Sequence, residues 1–316
     1  MAAPAPTLAP GTAPSVVAGE VRRGSDSLRR FTGAIARNRK AGFGLGLLIL
    51  ISVVAAVPQL FTGRDPQALL GGAQQLPSAT YWLGTTNTGQ DVYSQLIWGT
   101  RLTLIITVVA GGLASFVSVV IGVAAAYLGG WPDRLLSLLT DVFLIIPTLP
   151  LLIIMAAYLS GAGTDAIILA LVVTGWAFSA RQLRAQALSL RTRDFLEAAR
   201  VRGERPFYII MVEILPTMTS LIVANFMGLS TYMVATAAGL QYLGLGNTSE
   251  VTWGTMLHYA EENGAIFPGG NPFWVLAPGF AVVLMGAAFA FLNYAFDEIG
   301  NPALRSFRRR RAKPAA

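Results

Sequence analysis

The residues that could do chemistry in this chain are few. It has one histidine and no cysteine among 316 residues, which excludes thiol chemistry and makes a metal site of His and Cys ligands unexpected. His258 is therefore predicted to be a surface residue rather than a ligand or a switch. No glycine-rich segment is followed by the Lys and the Ser or Thr that cradle nucleotide phosphates. We expect no catalytic residue, no bound cofactor and no P-loop ATP hydrolysis in this chain.

A charged loop enclosed by apolar segments is the strongest candidate for binding a partner. Residues 193–216 read RDFLEAARVRGERPFYIIMVEILP. Within it, a short helix is predicted to have an apolar side made of Leu196, Ala198, Ala199 and Val201. Gly203 can take the left-handed conformation that ends a helix, and Pro206 suits the first turn of the next one. The loop is therefore predicted to form a helix, a tight turn and a second helix, and to contact a soluble partner.

Composition places the rest of the chain in a membrane. The chain is 54% hydrophobic and only 12% charged, whereas soluble globular proteins carry roughly 25% charged residues. Four uncharged stretches can each hold the roughly 20 apolar residues that cross a bilayer: residues 41–63, 102–132, 214–249 and 263–296. Two further spans are predicted at 135–159, which Asp141 interrupts, and at 162–180. The sequence thus predicts an all-α polytopic membrane protein with six transmembrane helices.

The distribution of basic residues predicts the orientation. Of the 23 Lys and Arg residues, all except Arg64 and Arg101 fall in segments that are cytoplasmic if the N-terminus is inside. Both termini are therefore predicted to be cytoplasmic. The net charge of +7 does not indicate a nucleic-acid partner, because the basic residues sit at membrane margins without interleaved aromatic residues. Membrane lipid is the partner expected for the basic stretches 22–40 and 305–313.

The chain divides into four predicted regions. Residues 1–40 form a partly disordered cytoplasmic tail, and residues 298–316 form a basic cytoplasmic tail. Residues 41–101 hold the first transmembrane helix and an external segment. The last part of that segment, 89–101, is expected to lie along the outer interface before the chain turns into the second span. Residues 102–297 hold the other five transmembrane helices and a cytoplasmic loop at 187–213.

Polar residues inside the predicted spans are candidates for lining a pathway through the membrane. Asp141 is the one clear acid within a span, and such acids are functional candidates by default. It could instead pair with a nearby arginine: Arg134, Arg181 or Arg184. The other candidates lie in the third and fifth spans: Thr148, Asn225, Tyr232 and Thr236. Hydrogen bonding between helices is the alternative role for each of them. Pro147 and Pro150 are expected to bend the third span.

The charged loop resembles the cytoplasmic loop of bacterial ABC importer permeases. The resemblance rests on Glu-Ala-Ala at 197–199, Gly203 four residues on, and Ile-Leu-Pro at 214–216 after a ten-residue gap. It implies a type I ABC importer permease fold in the bacterial cytoplasmic membrane, and a loop that inserts into a groove on an ATPase subunit. The residues it assigns to ATPase coupling are Arg193, Asp194, Glu197, Ala198, Ala199, Arg200, Arg202, Gly203, Pro206 and Pro216.

The same resemblance implies the partners. They are a second homologous permease subunit, two ABC ATPase subunits that bind ATP and Mg, and an extracellular or periplasmic solute-binding protein. The stretch GTTNTGQDV resembles the peptide and nickel branch of these permeases, although Thr86 and Gln90 replace the usual Asp and Arg. That branch implies di- or oligopeptides as cargo. The ending NYAFDEIGNPALR is similar to branch members that carry oligosaccharides, which remain the alternative cargo.

Two other classes of protein stay open at this stage. An ion-gradient-driven secondary transporter would need buried ionisable residues and commonly has internal repeats. In this sequence Asp141 is nearly the only ionisable residue within a predicted span, and no internal repeat is found. An intramembrane enzyme is the weaker alternative, because no nucleophile and base stand at an interpretable spacing.

Overall fold

The structure is a computed structural model that describes residues 39–158 and 163–300. The predictions for the tails at 1–40 and 298–316 fall almost entirely outside these residues. The described residues contain helices and loops and no β-strand, with an isolated bridge between Thr85 and Asp91. The prediction of an all-α chain is confirmed for this part of the protein.

The helices follow one another in a simple order. They are α1 (Arg39–Ala56), a 3₁₀ turn (Pro58–Leu60), α2 (Val92–Leu128), α3 (Gly130–Ile145), α4 (Thr148–Tyr158), α5 (Gly163–Leu190), α6 (Asp194–Val201), α7 (Pro206–Tyr208), a π-helical turn (Ile209–Ile214), α8 (Leu215–Tyr242), α9 (Trp253–Glu262) and α10 (Phe273–Gly300). α7, the π-helical turn and α8 run on as one continuous helix, Pro206–Tyr242.

Four of these helices are long and apolar enough to cross a membrane: Val92–Leu128, Gly163–Leu190, Pro206–Tyr242 and Phe273–Asp297. α3 and α4 qualify together as a broken span, with an angle of 88° between them. α1 contains a shorter apolar helical segment, Lys40–Ala56. These elements correspond to the six predicted spans, and the count of six remains a prediction.

The second span differs from its prediction. α2 begins at Val92 and continues through Arg101 to Leu128, so a separate interfacial helix at 89–101 is wrong. The reason is that the Arg101 guanidinium has a partner inside the protein. Its Nε and Nη2 atoms donate to the carbonyl oxygens of Ala55 and Ala56, both at 2.8 Å. These carbonyls belong to the last turn of α1, where a helix leaves carbonyl groups unpaired, so the charge is satisfied without a turn.

α2 is the centre of the bundle and packs closely against α5 and α8. Small residues make this possible, because they let helix backbones approach each other. A Cβ atom added at Gly122 would lie 2.5 Å from the carbonyl oxygen of Ala180, in α5. The Ser118 hydroxyl lies 2.7 Å from the carbonyl oxygen of Trp176, also in α5. The dense small residues of this span therefore form the packing surface that joins three helices.

The third span is broken as its prolines predicted. α3 ends at Ile145 and α4 begins at Thr148, with Pro147 at the 88° bend. Pro150 lies in the first turn of α4, where its missing N–H leaves no helix hydrogen bond unmade. A single proline thus accounts for the break.

Two loop segments form a cap over one end of the bundle. The cap consists of residues 62–91 and 247–272, and it includes α9. Trp253 ties it to the first turns of α2, since its backbone N–H donates to Thr103 Oγ1 (3.1 Å) and its indole N–H donates to the Leu96 carbonyl (3.0 Å). Asn271 joins the two segments by donating to the Leu83 carbonyl at 2.8 Å. The cap is therefore a packed, hydrogen-bonded layer at the N-terminal end of α2.

Candidate functional site

The predicted loop contains a helix, α6, that cannot be stable by itself. It has eight residues, and isolated helices shorter than roughly 12 residues are marginal in water. Asp194 and Glu197 lie in its first turn and Arg200 in its last, which is the arrangement of charges that the helix dipole favours. Arg193, the N-cap residue just before the helix, makes no side-chain capping hydrogen bond. Packing against the rest of the protein must therefore hold α6 in place.

That packing comes from one side of the helix. Leu196 and Ala199 are completely buried. They belong to a cluster with the C-terminal ends of α2 and α5 and the start of the continuous helix 206–242, whose other buried members are Val123, Ala126, Leu183, Ala187, Leu190, Ile209, Ile214 and Met218. α6 is therefore docked on the ends of three long helices, at the opposite end of α2 from the cap.

The predicted apolar side of α6 is correct for two of its four residues. Leu196 and Ala199 are buried, but Ala198 is exposed and Val201 is 83% exposed. Helix geometry explains the difference, because about 100° per residue puts positions 198 and 201 on the side opposite 196 and 199. The sequence interpretation also passed over Phe195 and Phe207, which are 38% and 73% exposed. The outward face of this region thus carries apolar groups as well as charges.

The turn after α6 has the predicted form. Gly203 has φ of +76°, a left-handed conformation that glycine adopts without steric cost. Its N–H donates to the Arg200 carbonyl at 2.9 Å, and the Glu204 N–H donates to the Ala199 carbonyl at 3.2 Å. This pair of bonds is a Schellman motif. Pro206 then opens α7 in its first turn, so the prediction of helix, tight turn and helix is confirmed.

The charged residues of the loop are mostly exposed, and two of the arginines have partners within the chain. The Arg200 guanidinium lies 5.9 Å from the centre of the Tyr127 ring, at the end of α2. Arg202 lies 3.8 Å from carboxylate oxygens of both Glu204 and Glu213. These contacts orient the arginines around the turn. The exposed ion pairs add little stability, since such pairs contribute on the order of 0 to 1 kcal/mol.

Two ion pairs join α3 to α5 near this loop. Asp141 pairs with Arg181, which is one of the three arginines considered as its partner, and both side chains are about half exposed. Arg184 instead pairs with Asp133, with Nε to Oδ1 at 2.7 Å and Nη2 to Oδ2 at 2.8 Å. Such a two-bond arrangement holds the carboxylate and the guanidinium in one plane. These pairs fasten the broken third span to α5.

The other pathway candidates are divided between two places. Asn225, Tyr232 and Thr236 are spaced so that they share one face of α8. The side chain of Asn225 is buried, and within residues 39–158 and 163–300 its Nδ2 has no hydrogen-bond partner. Tyr232 is 40% exposed, and Thr236 donates to the Tyr232 carbonyl at 2.8 Å. Thr148 is the first residue of α4, on the broken span. A pathway role for these residues remains a prediction.

His258 is less exposed than predicted. Its side chain is 17% exposed, with Nε2 at 3.6 Å from Glu262 and Nδ1 at 3.0 Å from the Tyr242 carbonyl oxygen. The ring is covered because it packs between α9 and the end of α8. Over residues 39–158 and 163–300, no three His, Cys, Asp or Glu side chains gather as a metal site would need.

The chain resembles known membrane proteins over most of its length. The model of the family described as binding-protein-dependent transport system inner membrane component matches residues 118–305. The oligopeptide transport system permease protein OppC of Mycobacterium tuberculosis is 30% identical over 290 residues, which cover 89% of this chain and 95% of that protein. The dipeptide permease DppC of Bacillus subtilis is 30% identical, with 86% and 84% covered. The nickel permease NikC of Escherichia coli is 30% identical, with 82% and 92% covered.

A solved structure shares the fold. A chain of the MetNI methionine ABC transporter, in an inward-facing conformation, matches with a TM-score of 0.50 and 22% sequence identity. The match covers 67% of this chain and 95% of that chain. From the family match and the relatives, the chain belongs to the binding-protein-dependent transport system inner membrane components, as a multi-pass bacterial inner-membrane permease of the peptide and nickel branch of ABC importers.

Proposed function

We propose that this chain forms half of the translocation pathway of an ATP-driven importer of di- or oligopeptides, and that α6 is its coupling helix to an ATPase subunit. The observation that carries the proposal is the docking of α6. Two buried residues, Leu196 and Ala199, hold it against the bundle, and its opposite face is exposed. A short helix that turns both charges and apolar groups outward is suited to a groove on a soluble protein.

The assembly in this proposal has four kinds of contact. A second homologous permease encloses the pathway with this chain, and two ABC ATPase subunits bind ATP and Mg and receive the coupling helices. An extracellular or periplasmic binding protein delivers the solute, and membrane lipid surrounds six transmembrane helices. Both termini lie in the cytoplasm, on the same side as α6. This chain holds no cofactor of its own.

A displacement of α6 would reach the membrane helices through packed side chains. Leu196 shares its cluster with Val123 of α2, Leu183 of α5 and Ile209 at the start of the continuous helix 206–242. Because close-packed interiors transmit strain, α6 cannot move far without moving the ends of these helices. Closure of the ATPases on ATP would draw two coupling helices together and change the side to which the pathway opens.

Each coupling residue has a part in this proposal. Asp194, Glu197 and Ala198 on the exposed face shape the docking surface, and the arginines Arg193, Arg200 and Arg202 supply its polar contacts. Gly203 fixes the turn, while Pro206 and Pro216 fix the path into the fifth span. Pro216 lies in the first turn of α8. Phe207, which is 73% exposed, adds an apolar contact beside the turn.

The proposed cargo rests on the names of relatives. OppC and DppC are named for oligopeptides and dipeptides, and both are 30% identical to this chain. NikC, named for nickel, is equally similar. Peptides are preferred because the longest of these matches is to a peptide permease, and oligosaccharides remain the alternative. A secondary transporter is disfavoured by the pairing of Asp141 with Arg181, which leaves that acid without a free charge to couple to an ion gradient.

The test is the ATPase activity of the purified assembly, co-expressed with its neighbouring ATPase and binding-protein genes. The binding protein is titrated while loaded with peptide pools, with oligosaccharides or with nickel. We expect stimulation by the peptide-loaded form, and loss of coupled uptake with Gly203→Asp. If only another cargo stimulates the ATPase, that cargo replaces peptides as the proposed solute. Ion-driven uptake by this chain without an ATPase would overturn the proposal.

A further inference from the structure

The cap contains a cavity that none of the coupling residues touches. It has a volume of about 500 Å³, within the roughly 300 to 1,000 Å³ of small-molecule sites. One wall comes from the segment 62–91 and the first turn of α2, and includes Gln67 and Gln90. The other wall comes from residues 248–263. Because the cap covers the start of α2 and α6 docks at its end, the cavity lies at the opposite end of the bundle from the coupling helix.

The lining of this cavity mixes apolar and polar groups, and its charged side chains are all negative. Side-chain amides contribute both donors and acceptors, as at Gln67, Gln90 and Asn263, and the charged groups are the carboxylates of Glu250 and Glu262. No Lys or Arg is among the residues described as lining it. Carboxylates in the wall of a cavity favour a cationic group, and the amides suit the peptide groups of a ligand.

Glu250 is held in place without being neutralised. Its carboxylate accepts hydrogen bonds from the Thr164 hydroxyl and from Asn247 Nδ2, the latter at 3.0 Å. Both donors are uncharged, so the negative charge of Glu250 keeps its attraction for a cation. Glu262 lies 3.6 Å from the His258 ring and its side chain is 58% exposed. Glu250 is therefore the better fixed of the two acids.

A buried donor is left over at the same cavity. Trp274 lines it and is 2% exposed, yet its indole N–H has no hydrogen-bond partner in the described part of the chain. Buried polar groups are normally paired, and each exception calls for an explanation such as a missing ligand or water. Trp274 thus contributes its side chain to the cavity wall, while its unpaired N–H is itself buried behind that wall.

We infer that this cavity receives the free amino terminus of a short peptide, with the ammonium group bound by Glu250 and Glu262 and the peptide groups bound by the amides of both walls. The inference rests on the proposed function, for which it adds a receiving site on the permease itself. A neutral oligosaccharide could donate hydroxyl hydrogen bonds to the two carboxylates, but it would lack the attraction between opposite charges that an ammonium group gains. The two walls already share a hydrogen bond, from Asn87 to Asn263 at 2.6 Å, between residues that are 176 apart in the sequence. A ligand that bridges the walls would therefore strengthen the contact between the two segments of the cap.

The test measures binding to the assembled permease and ATPase complex in nanodiscs, without the binding protein. Trialanine is titrated by calorimetry and compared with N-acetyl-trialanine, which lacks the ammonium group. We expect saturable binding of trialanine, and about tenfold weaker binding of the acetylated form, because a hydrogen bond to a charged group is lost. Glu250→Gln, which keeps an acceptor oxygen for Asn247, should weaken trialanine about tenfold as well.

Control measurements separate this inference from the proposed function. Glu261→Gln removes a neighbouring carboxylate that does not line the cavity and should bind trialanine like the unaltered complex. Glu262→Gln, at a more exposed position, repeats the test if Glu250→Gln lowers the yield. Equal binding of both trialanine forms, no binding, or binding of nickel chloride in place of the peptide would overturn the inference. If no peptide-loaded binding protein stimulates the ATPase activity, the proposal of a peptide importer is overturned instead.

Discussion

Replacing Leu196 with alanine should release α6 from the bundle while the bundle stays assembled. Leu196 is completely buried and is one of two buried residues in this eight-residue helix. Leu→Ala changes at buried sites cost about 2 to 5 kcal/mol. Because α6 cannot form by itself, this free-energy cost should weaken the docking of α6 on the bundle and leave the stability of the long helices unchanged. The lower figure alone raises the local opening equilibrium about 30-fold, at about 1.4 kcal/mol for each tenfold change.

Hydrogen exchange in the assembled complex measures this opening directly. The reporting amides are those of Arg202, Gly203 and Glu204, which donate to carbonyl groups within α6. In Leu196→Ala their exchange should quicken by about 30-fold or more, and the binding protein should no longer stimulate the ATPase. The melting temperature of the complex should change little, since the contacts among α2, α5, α8 and α10 are intact.

Val201→Ala is the matched control. Val201 belongs to the same helix and is 83% exposed, so its truncation should leave amide exchange unchanged whatever it does to ATPase binding. The reasoning fails if Leu196→Ala exchanges at the rate of the unaltered protein. In that case something other than the buried face holds α6.

Three further predictions concern the turn, the helix packing and an ion pair. Gly203→Ala should weaken the turn by about 1 to 2 kcal/mol, which is the cost of placing a residue with a side chain in the left-handed conformation. No steric clash adds to this cost, because a Cβ atom at position 203 would meet nothing within 4 Å. Gly203→Asn should cost less, and the coupled ATPase activity measures both variants. Gly122→Ala should lower the yield of folded complex in size-exclusion chromatography, since its Cβ would lie 2.5 Å from an α5 carbonyl oxygen, whereas Gly112→Ala, with 3.9 Å to its nearest neighbour, should not. Arg184→Gln should cost about 1 kcal/mol of thermal stability, and combining it with Asp133→Asn should cost no more than either change alone; additive losses would show that the pair does not interact.

The helix and turn of the coupling loop could be predicted because their signals are local. Gly203 and Pro206 act through backbone preferences within a few residues, and neither needs a distant partner. The prediction of the buried side of α6 was half wrong because five of its eight residues are apolar, and so many do not define a single face. What decides between them is the position of the cluster beneath the helix, to which Leu183 and Ile214 belong, and no local pattern contains that information.

The errors elsewhere come from contacts between distant residues. Residues 89–101 were predicted to lie along the outer interface because their apolar residues have near-helical spacing. The carbonyl groups that bind Arg101, those of Ala55 and Ala56, are about 45 residues away and leave no sign in that spacing. Asp141 had three possible arginines within reach, and only the packing of α3 against α5 selects Arg181. The cavity in the cap is even harder to predict from the sequence, since its walls come from opposite halves of the chain and share no sequence motif.

The length of α2 sets how movements at the two ends of the bundle are related. Its 37 residues span about 55 Å, well beyond the roughly 30 Å of a bilayer's hydrocarbon core. Trp253 is hydrogen-bonded to the first turns of α2, and the buried cluster that includes Leu196 of α6 packs against its last turns. A rigid lever of this length that tilts by about 10° about its midpoint swings each end by about 5 Å, in opposite directions. An outward movement of one end of α2 and an inward movement of the other end would then be a single rotation about the middle of the helix. No series of side-chain changes along the helix would be needed to connect the two movements.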